Sequence, residues 1–182
     1  MNVTTVSIPG VLVIEPRVYE DDRGHFFESF NHAAFERAIG SDVRFVQDNQ
    51  SFSKANVLRG LHYQVDQPQG KLVRAIQGAI YDVAVDIRPD SPTYGTWVGV
   101  ELSADNCRQL WIPAGLAHGF LVRSTTAEVL YKTTDYYAPA AERCILWNDP
   151  TIAIAWPLKG EPVVSLKDRQ GTTFAPVAPR PA

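Results

Sequence analysis

His62 and Lys71 stand in the stretch GLHYQVDQPQGKLVRAIQG, residues 60–78, with Arg59 just ahead of it. An imidazole, neutral near physiological pH, is the commonest side-chain general base. An ammonium beside it can hold the negative oxygen that forms when a proton leaves a carbon next to a ketone. The same charge opposes protonation of the imidazole and keeps it ready to accept. A lone histidine would more often be a satisfied structural side chain. Flanked by two cations, His62 reads instead as part of a proton-abstraction site.

The spacing of this stretch is similar to the first metal-binding box of cupins. Gly60, His62 and Gly78 fall on the glycine, first-ligand and second-glycine positions, but Gln64 holds the second histidine position and Lys71 the carboxylate position. PAGLAH, residues 113–118, is similar to the second box, with His118 at the ligand position and Val122 where an asparagine is usual. Divalent metals want neutral imidazole or anionic oxygen. An amide and an ammonium do not supply them, so no metal is expected, and Lys71 brings the positive charge instead.

The elements that must position these residues are mostly strands. KLVRAIQ, AIYDVAVDIR, TWVGVEL, QLWIP, GFLVRS and AEVLYKTTDYY are short runs rich in Val, Ile, Tyr, Trp and Thr, separated by turn signals such as RPDSPTYG and SADN. Within 80–88, Tyr81, Val83, Val85 and Ile87 share one face and Asp82, Ala84, Asp86 and Arg88 the other. In a closed barrel such a polar face lines a pocket as readily as it meets solvent, which leaves both readings open for Asp82 and Arg74. NHAAFERAIG predicts one helix, with Asn31 as N-cap and Gly40 as stop. The fold expected is all-β, a jelly-roll barrel or sandwich with a few short helices, in one domain over 1–182. A proline-rich tail from about 175 to 182 is expected to fray.

The net charge of −3 over 182 residues offers no global basic field for nucleic acid or an acidic membrane. No apolar run reaches the roughly 20 residues of a membrane span, and the N-terminus lacks the basic and apolar regions of a signal peptide. Cys107 and Cys144 make neither a disulfide framework nor a zinc motif and read as packed thiols in a reducing cytoplasm.

DDRGHFFESFN (21–31), FVQDNQSFSKANVLRGLHYQ (45–64), QGKLVRAIQGAIYDVAVDIRPDSPTYG (69–95), WIPAGLAHGF (111–120), YKTTDYYAPAAE (131–142) and SLKD (165–168) together resemble the dTDP-4-dehydrorhamnose 3,5-epimerase family over nearly the whole chain. The resemblance implies a cupin-type jelly roll, a homodimer, and no metal or organic cofactor. It also implies inversion of C3 and C5 of a dTDP-4-keto-6-deoxy-glucose on the way to dTDP-L-rhamnose. By the same resemblance His62 is the base, Asp168 its partner, Lys71 the holder of the enolate oxygen and Tyr131 the proton donor on the opposite face. Arg23, Arg59 and Lys167 match diphosphate contacts, for which guanidinium forks are suited. Glu28, Gln47, Asp48, Asn49, His118 and Glu142 match positions for the sugar, the thymidine or the network around them, and Phe26 and Tyr137 offer flat surfaces to a ring. The segment from Arg23 to Glu28 is implied to reach into the partner subunit's site.

Other readings stay open from sequence. Within the family these are an enzyme that inverts only C3 or only C5, or a ketoisomerase of another deoxysugar. Outside it they are a metal-dependent cupin oxygenase or isomerase, disfavoured by Gln64 and Lys71, and a non-catalytic sugar-nucleotide binder, which would leave His62, Asp168 and Tyr131 without a purpose.

Overall fold

The computed structural model describes residues 1–175; the expected fraying of the proline-rich tail therefore falls almost wholly outside the described residues. Two sheets face each other. The first runs β1 (Asn2–Thr5), β2 (Leu12–Glu15), β10 (Gln109–Ile112), β7 (Lys71–Gln77), β12 (Thr126–Thr133) and β5 (Gln47–Lys54). The second runs β13 (Glu142–Cys144), β6 (Val57–Gln64), β11 (Leu116–Val122), β8 (Ala79–Asp86) and β9 (Trp97–Ser103), with β14 (Val163–Val164) alongside β6. A hairpin of β3 (Val18–Asp21) and β4 (Gly24–Phe27) stands off the sheets. The helices are α1 (His32–Ile39) and the one-turn α2 (Leu166–Arg169). This is the all-β jelly roll expected, and no described helix is long and apolar enough to cross a membrane.

The core explains why β8 has no solvent face. Ile80 and Ala84 pack between the sheets with Val73, Leu110, Phe120 and Val129. Val83 and Val85 point the other way, onto Leu58, Leu61, Ile145 and Trp156, because the segment after β13 folds back over the second sheet. Asp82 lies on the inner face and is fully buried. Arg74 is half-buried and lines a shallow recess beside Asp48 and Lys132, apart from the main cavity.

α1 closes the outer face of the first sheet. The Asn31 side chain accepts from the Ala34 amide at 3.0 Å, and Gly40, at φ 70°, returns its N–H to Glu36 O, so both expected caps hold. The helix buries Phe35 against Trp111 and Leu72, a burial that stabilises by roughly 1.5–3 kcal/mol.

β6 carries the feature that matters most for the site. Along it Leu58, Leu61 and Tyr63 face the outer cluster, whereas Val57 packs in the inner core and Arg59, His62 and Gln64 line the cavity between the sheets. The inward set changes parity between 59 and 62. The cause is a bulge: His118 pairs with His62 but Phe120 pairs with Arg59, so β6 holds one residue more than β11 over this interval. Only glycine fits at Gly60, whose φ is 102° and where a Cβ would sit 2.5 Å from the His118 carbonyl oxygen. Without the bulge, Arg59 and His62 would lie on opposite faces of the sheet.

Candidate active site

A cavity of about 590 Å³ opens between the sheets. It gathers His62, Lys71, Tyr131, Asp168, Arg59, His118, Tyr137, Glu142 and Lys167, residues spread over the chain from β6 to α2.

His62 and Asp168 form its centre. The His62 Nε2 lies 2.5 Å from Asp168 Oδ1 across 106 positions of sequence. Three local devices deliver the carboxylate there. β14 pairs in parallel with the start of β6, Val164 is buried in the outer cluster, and the Ser165 hydroxyl caps α2 by accepting from the Asp168 amide at 3.1 Å. Burial pushes the Asp168 pKa up, but the hydrogen bond and charge of His62, the Ser165 hydroxyl and the Gly60 amide outweigh it and hold the carboxyl below its usual range. An ionised carboxylate only accepts, so Nε2 carries the proton and Nδ1 keeps its lone pair. Among the described residues Nδ1 has no hydrogen-bond partner, and the ring is about one-third exposed.

Lys71 sits at the first residue of β7 and is almost fully buried. The hydrogen bond found for its ammonium among the described residues goes to the His62 carbonyl oxygen, at 3.3 Å. Burial lowers its pKa to about 8, against the pull of the Asp82 and Glu142 charges. Among the described residues no carboxylate is bonded to it, which leaves donors to spare for an incoming anion. Tyr131 enters from β12 of the same sheet, opposite the sheet that carries His62. Burial raises its pKa, opposed by Arg59, so the phenol is protonated and able to donate.

The rim is a second network. The Tyr137 hydroxyl donates to Glu142 Oε2 at 2.6 Å, and the Lys167 ammonium donates to the same oxygen at very short range. Burial raises the Glu142 pKa, but these two donors and the nearby His62 bring it below the usual range. Lys167 is thus paired with Glu142 at the cavity rim. Among the described residues Arg59 bonds the Ser53 hydroxyl and the Phe52 carbonyl and has no carboxylate partner.

The cupin-box positions do not suit a metal. Gln64 donates to the Gln67 and Tyr136 carbonyls and accepts from the Ala138 amide, which makes it a clamp for the loop that carries Tyr137. The slot of the carboxylate holds Lys71, and His118 is engaged at 2.7 Å by the buried Asp82. That carboxylate is the residue sequence reasoning left undecided. Its only signal is a polar position on the inward face of a strand buried on both sides.

The other expected positions fall elsewhere. Gln47 bonds Asn49 at 2.8 Å and accepts from the Tyr137 amide, so it supports the rim loop from behind. Asp48 pairs with Lys132 in the recess beside Arg74. Arg23 forms a salt bridge with Asp21 at the tip of the β3–β4 hairpin, Phe26 is 71% exposed on β4, and the Glu28 carboxylate accepts from the Asn31 side-chain Nδ2. None of these last three joins this cavity. Cys107 is a packed thiol as expected; Cys144 is half-buried, and burial together with Asp168 pushes its pKa to about 12.

Comparison with known proteins places this geometry in context. Residues 5–176 match the sequence profile of the dTDP-4-dehydrorhamnose 3,5-epimerase family. A protein of that name from Pseudomonas aeruginosa is 62% identical over 175 residues, 96% of this chain and 97% of that one. A solved dTDP-6-deoxy-D-glucose-3,5-epimerase from Legionella pneumophila, in complex with dTDP-4-keto-L-rhamnose, superimposes with a TM-score of 0.93 at 51% identity, covering 94% of this chain and 92% of the other. A 3'-monoepimerase from Streptomyces bikiniensis in complex with dTDP-quinovose is 36% identical with a TM-score of 0.87, covering 92% and 85%. The chain belongs to the dTDP-4-dehydrorhamnose 3,5-epimerase family.

Proposed function

We infer that the chain epimerises dTDP-4-dehydro-6-deoxy-D-glucose at C3 and C5, giving dTDP-4-dehydro-L-rhamnose for dTDP-L-rhamnose biosynthesis. The observation that carries the mechanism is the placement of His62 and Tyr131 on opposing sheets of one cavity, with Lys71 buried and without a carboxylate partner. The C4 ketone acidifies the protons on C3 and C5. Nδ1 of His62 takes one of them, and Asp168 stabilises the imidazolium that results. The electron pair moves onto O4, where the Lys71 ammonium holds the enolate oxygen, an interaction of the kind whose loss costs about 3–4 kcal/mol. Tyr131 returns a proton to the opposite face of the carbon, which inverts it. Two groups on two faces are required; one base acting alone would regenerate the starting isomer. Once His62 has released its proton to solvent and Tyr131 has regained one, the same cycle serves the second carbon. No electron is gained or lost overall, so the chemistry consumes no redox cofactor.

Arg59 takes the diphosphate, with Lys167 joining once the dianion competes with Glu142. Tyr137, held by Gln47 and Glu142, bounds the far side of the sugar nucleotide. The chain works as a single domain and as a homodimer in the cytoplasm. The exposed Arg23, Phe26 and Glu28 of the hairpin region contact the nucleotide in the partner subunit's cavity. Incubation with the substrate in deuterium oxide tests the reaction. Deuterium at both C3 and C5 with inversion is expected; label at one carbon only would make the protein a monoepimerase.

A further inference from the structure

The mechanism leaves one side chain beside the dyad unused. Cys144 is the direct cross-strand neighbour of His62 in the pairing of β13 with β6. Its sulfur lies 3.8 Å from Asp168 Oδ1, the same oxygen that His62 Nε2 approaches at 2.5 Å. The three ligand atoms fall within 4.8 Å of one another. A nitrogen, a carboxylate oxygen and a thiol converging in this way form a donor set for a borderline-soft dication.

We propose that Cys144 Sγ, His62 Nε2 and Asp168 Oδ1 form an inhibitory site for a thiophilic divalent cation such as zinc. The site lies on the Asp168 side of the imidazole and shares only His62 with the cupin-box positions rejected above. Tetrahedral zinc, with bonds of about 2.3 Å to sulfur and about 2.1 Å to oxygen and nitrogen, needs a sulfur–oxygen separation of roughly 3.6 Å and a nitrogen–oxygen separation of roughly 3.4 Å. The first is nearly met already. The second asks His62 and Asp168 to part by less than about 1 Å. The fourth position remains for water, since the His62 ring is partly exposed.

The charges also balance. A thiolate and a carboxylate neutralise the dication, and Lys71 bonds the His62 backbone carbonyl and none of the three ligand atoms. The metal displaces the thiol proton to solvent, as coordination does for thiols in general. The proton on Nε2 relocates to Nδ1, and the nitrogen that must accept a proton from carbon is then already protonated. The inhibition rests on the epimerase reading; the binding does not.

Cobalt chloride serves as the optical probe, added to the whole protein in a non-chelating buffer free of thiols. The wild type is expected to develop a sulfur-to-cobalt charge-transfer band that Cys107→Ser retains and Cys144→Ser and Cys144→Ala lose. Zinc chloride should then inhibit the wild type at least about tenfold more tightly than either Cys144 variant, while both variants keep their activity without metal. Absence of the band in the wild type, or equal zinc inhibition with and without Cys144, would overturn the proposal. The cobalt experiment needs no turnover, so its failure is distinguishable from failure of the epimerase reading.

Discussion

Two histidine–carboxylate pairs lie on adjacent, register-matched positions of β6 and β11, and they are built for different work. His62 and Asp168 stand at 2.5 Å, with the ring about one-third exposed and the carboxylate covered by a helix cap. His118 and Asp82 stand at 2.7 Å, with the ring 8% exposed and the carboxylate fully buried. Among the described residues the second Asp82 oxygen has no hydrogen-bond partner, and the Asp82 charge is the larger of those that support the Lys71 ammonium. In the proposed mechanism the same pair of side chains serves as a base where one ring edge is open, and as a counter-charge where it is sealed. Accessibility and the satisfaction of the carboxylate divide the roles; residue type does not.

Substitution of each histidine should separate the pairs. His62→Ala is expected to lower kcat by about 10³-fold or more, within the range for a lost general base, with the melting temperature little changed. His118→Ala leaves Asp82 buried without its hydrogen-bond partner and should cost stability, about 1–3 kcal/mol by denaturant unfolding, as when a buried acceptor loses its donor. If His118→Ala folds as well as the wild type, the sealed pair is not structural. If His62→Ala turns over at the wild-type rate, the open pair is not catalytic.

Lys71, which lies within reach of both charges, sharpens the comparison. Lys71→Met should lower kcat by about 10²–10³-fold yet unfold at higher denaturant, because it removes a buried charge that no carboxylate bonds among the described residues. The pH dependence carries the same contrast. With a folded pKa of about 8, the ammonium that holds the enolate is lost as pH rises through 8, so activity falls there. The unfolded chain keeps this proton up to about 10.4. Between those values the unfolded state binds more protons, and stability rises with pH. The Lys71 contribution to stability, read as the difference between wild type and Lys71→Met, should therefore rise with pH above 8 while activity falls; Cys144, held near 12, contributes the opposite slope from about pH 9 in both proteins.

A smaller effect tests how the open pair is placed. Gly60→Ala forces a Cβ into the His118 carbonyl at a positive φ, and should cost roughly 1–3 kcal/mol of stability together with activity, since the bulge aims Arg59 and His62 into one cavity. Full activity in a stable Gly60→Ala protein would show that the bulge is not needed.

Much of this arrangement was legible in the sequence, for physical reasons that also explain the rest. KLVRAIQ reads as a strand and is β7 residue for residue, because its apolar β-branched content lies at the centre of a sheet. The caps of α1 read correctly because Asn31 and Gly40 act locally. β5, with the polar sequence QDNQSFSK, is a sheet edge that alternates toward solvent, and no apolar run marks it. Asp168 was visible only through the family resemblance, since nothing local ties it to a histidine 106 residues away. The reading of Gly60 as a box position was sound, but its work in shifting the parity of β6 needs the register with β11 to be seen.

The central claim is that protons leave on the His62 face and return from Tyr131 on the other. It is tested most directly by following Tyr131→Phe with the substrate in deuterium oxide, measuring exchange and configuration together. The account predicts that label still washes into the substrate through His62 while inversion falls by at least about tenfold, a modest part of a general-acid contribution. Equal loss of exchange and inversion, or inversion at the wild-type rate, would contradict it.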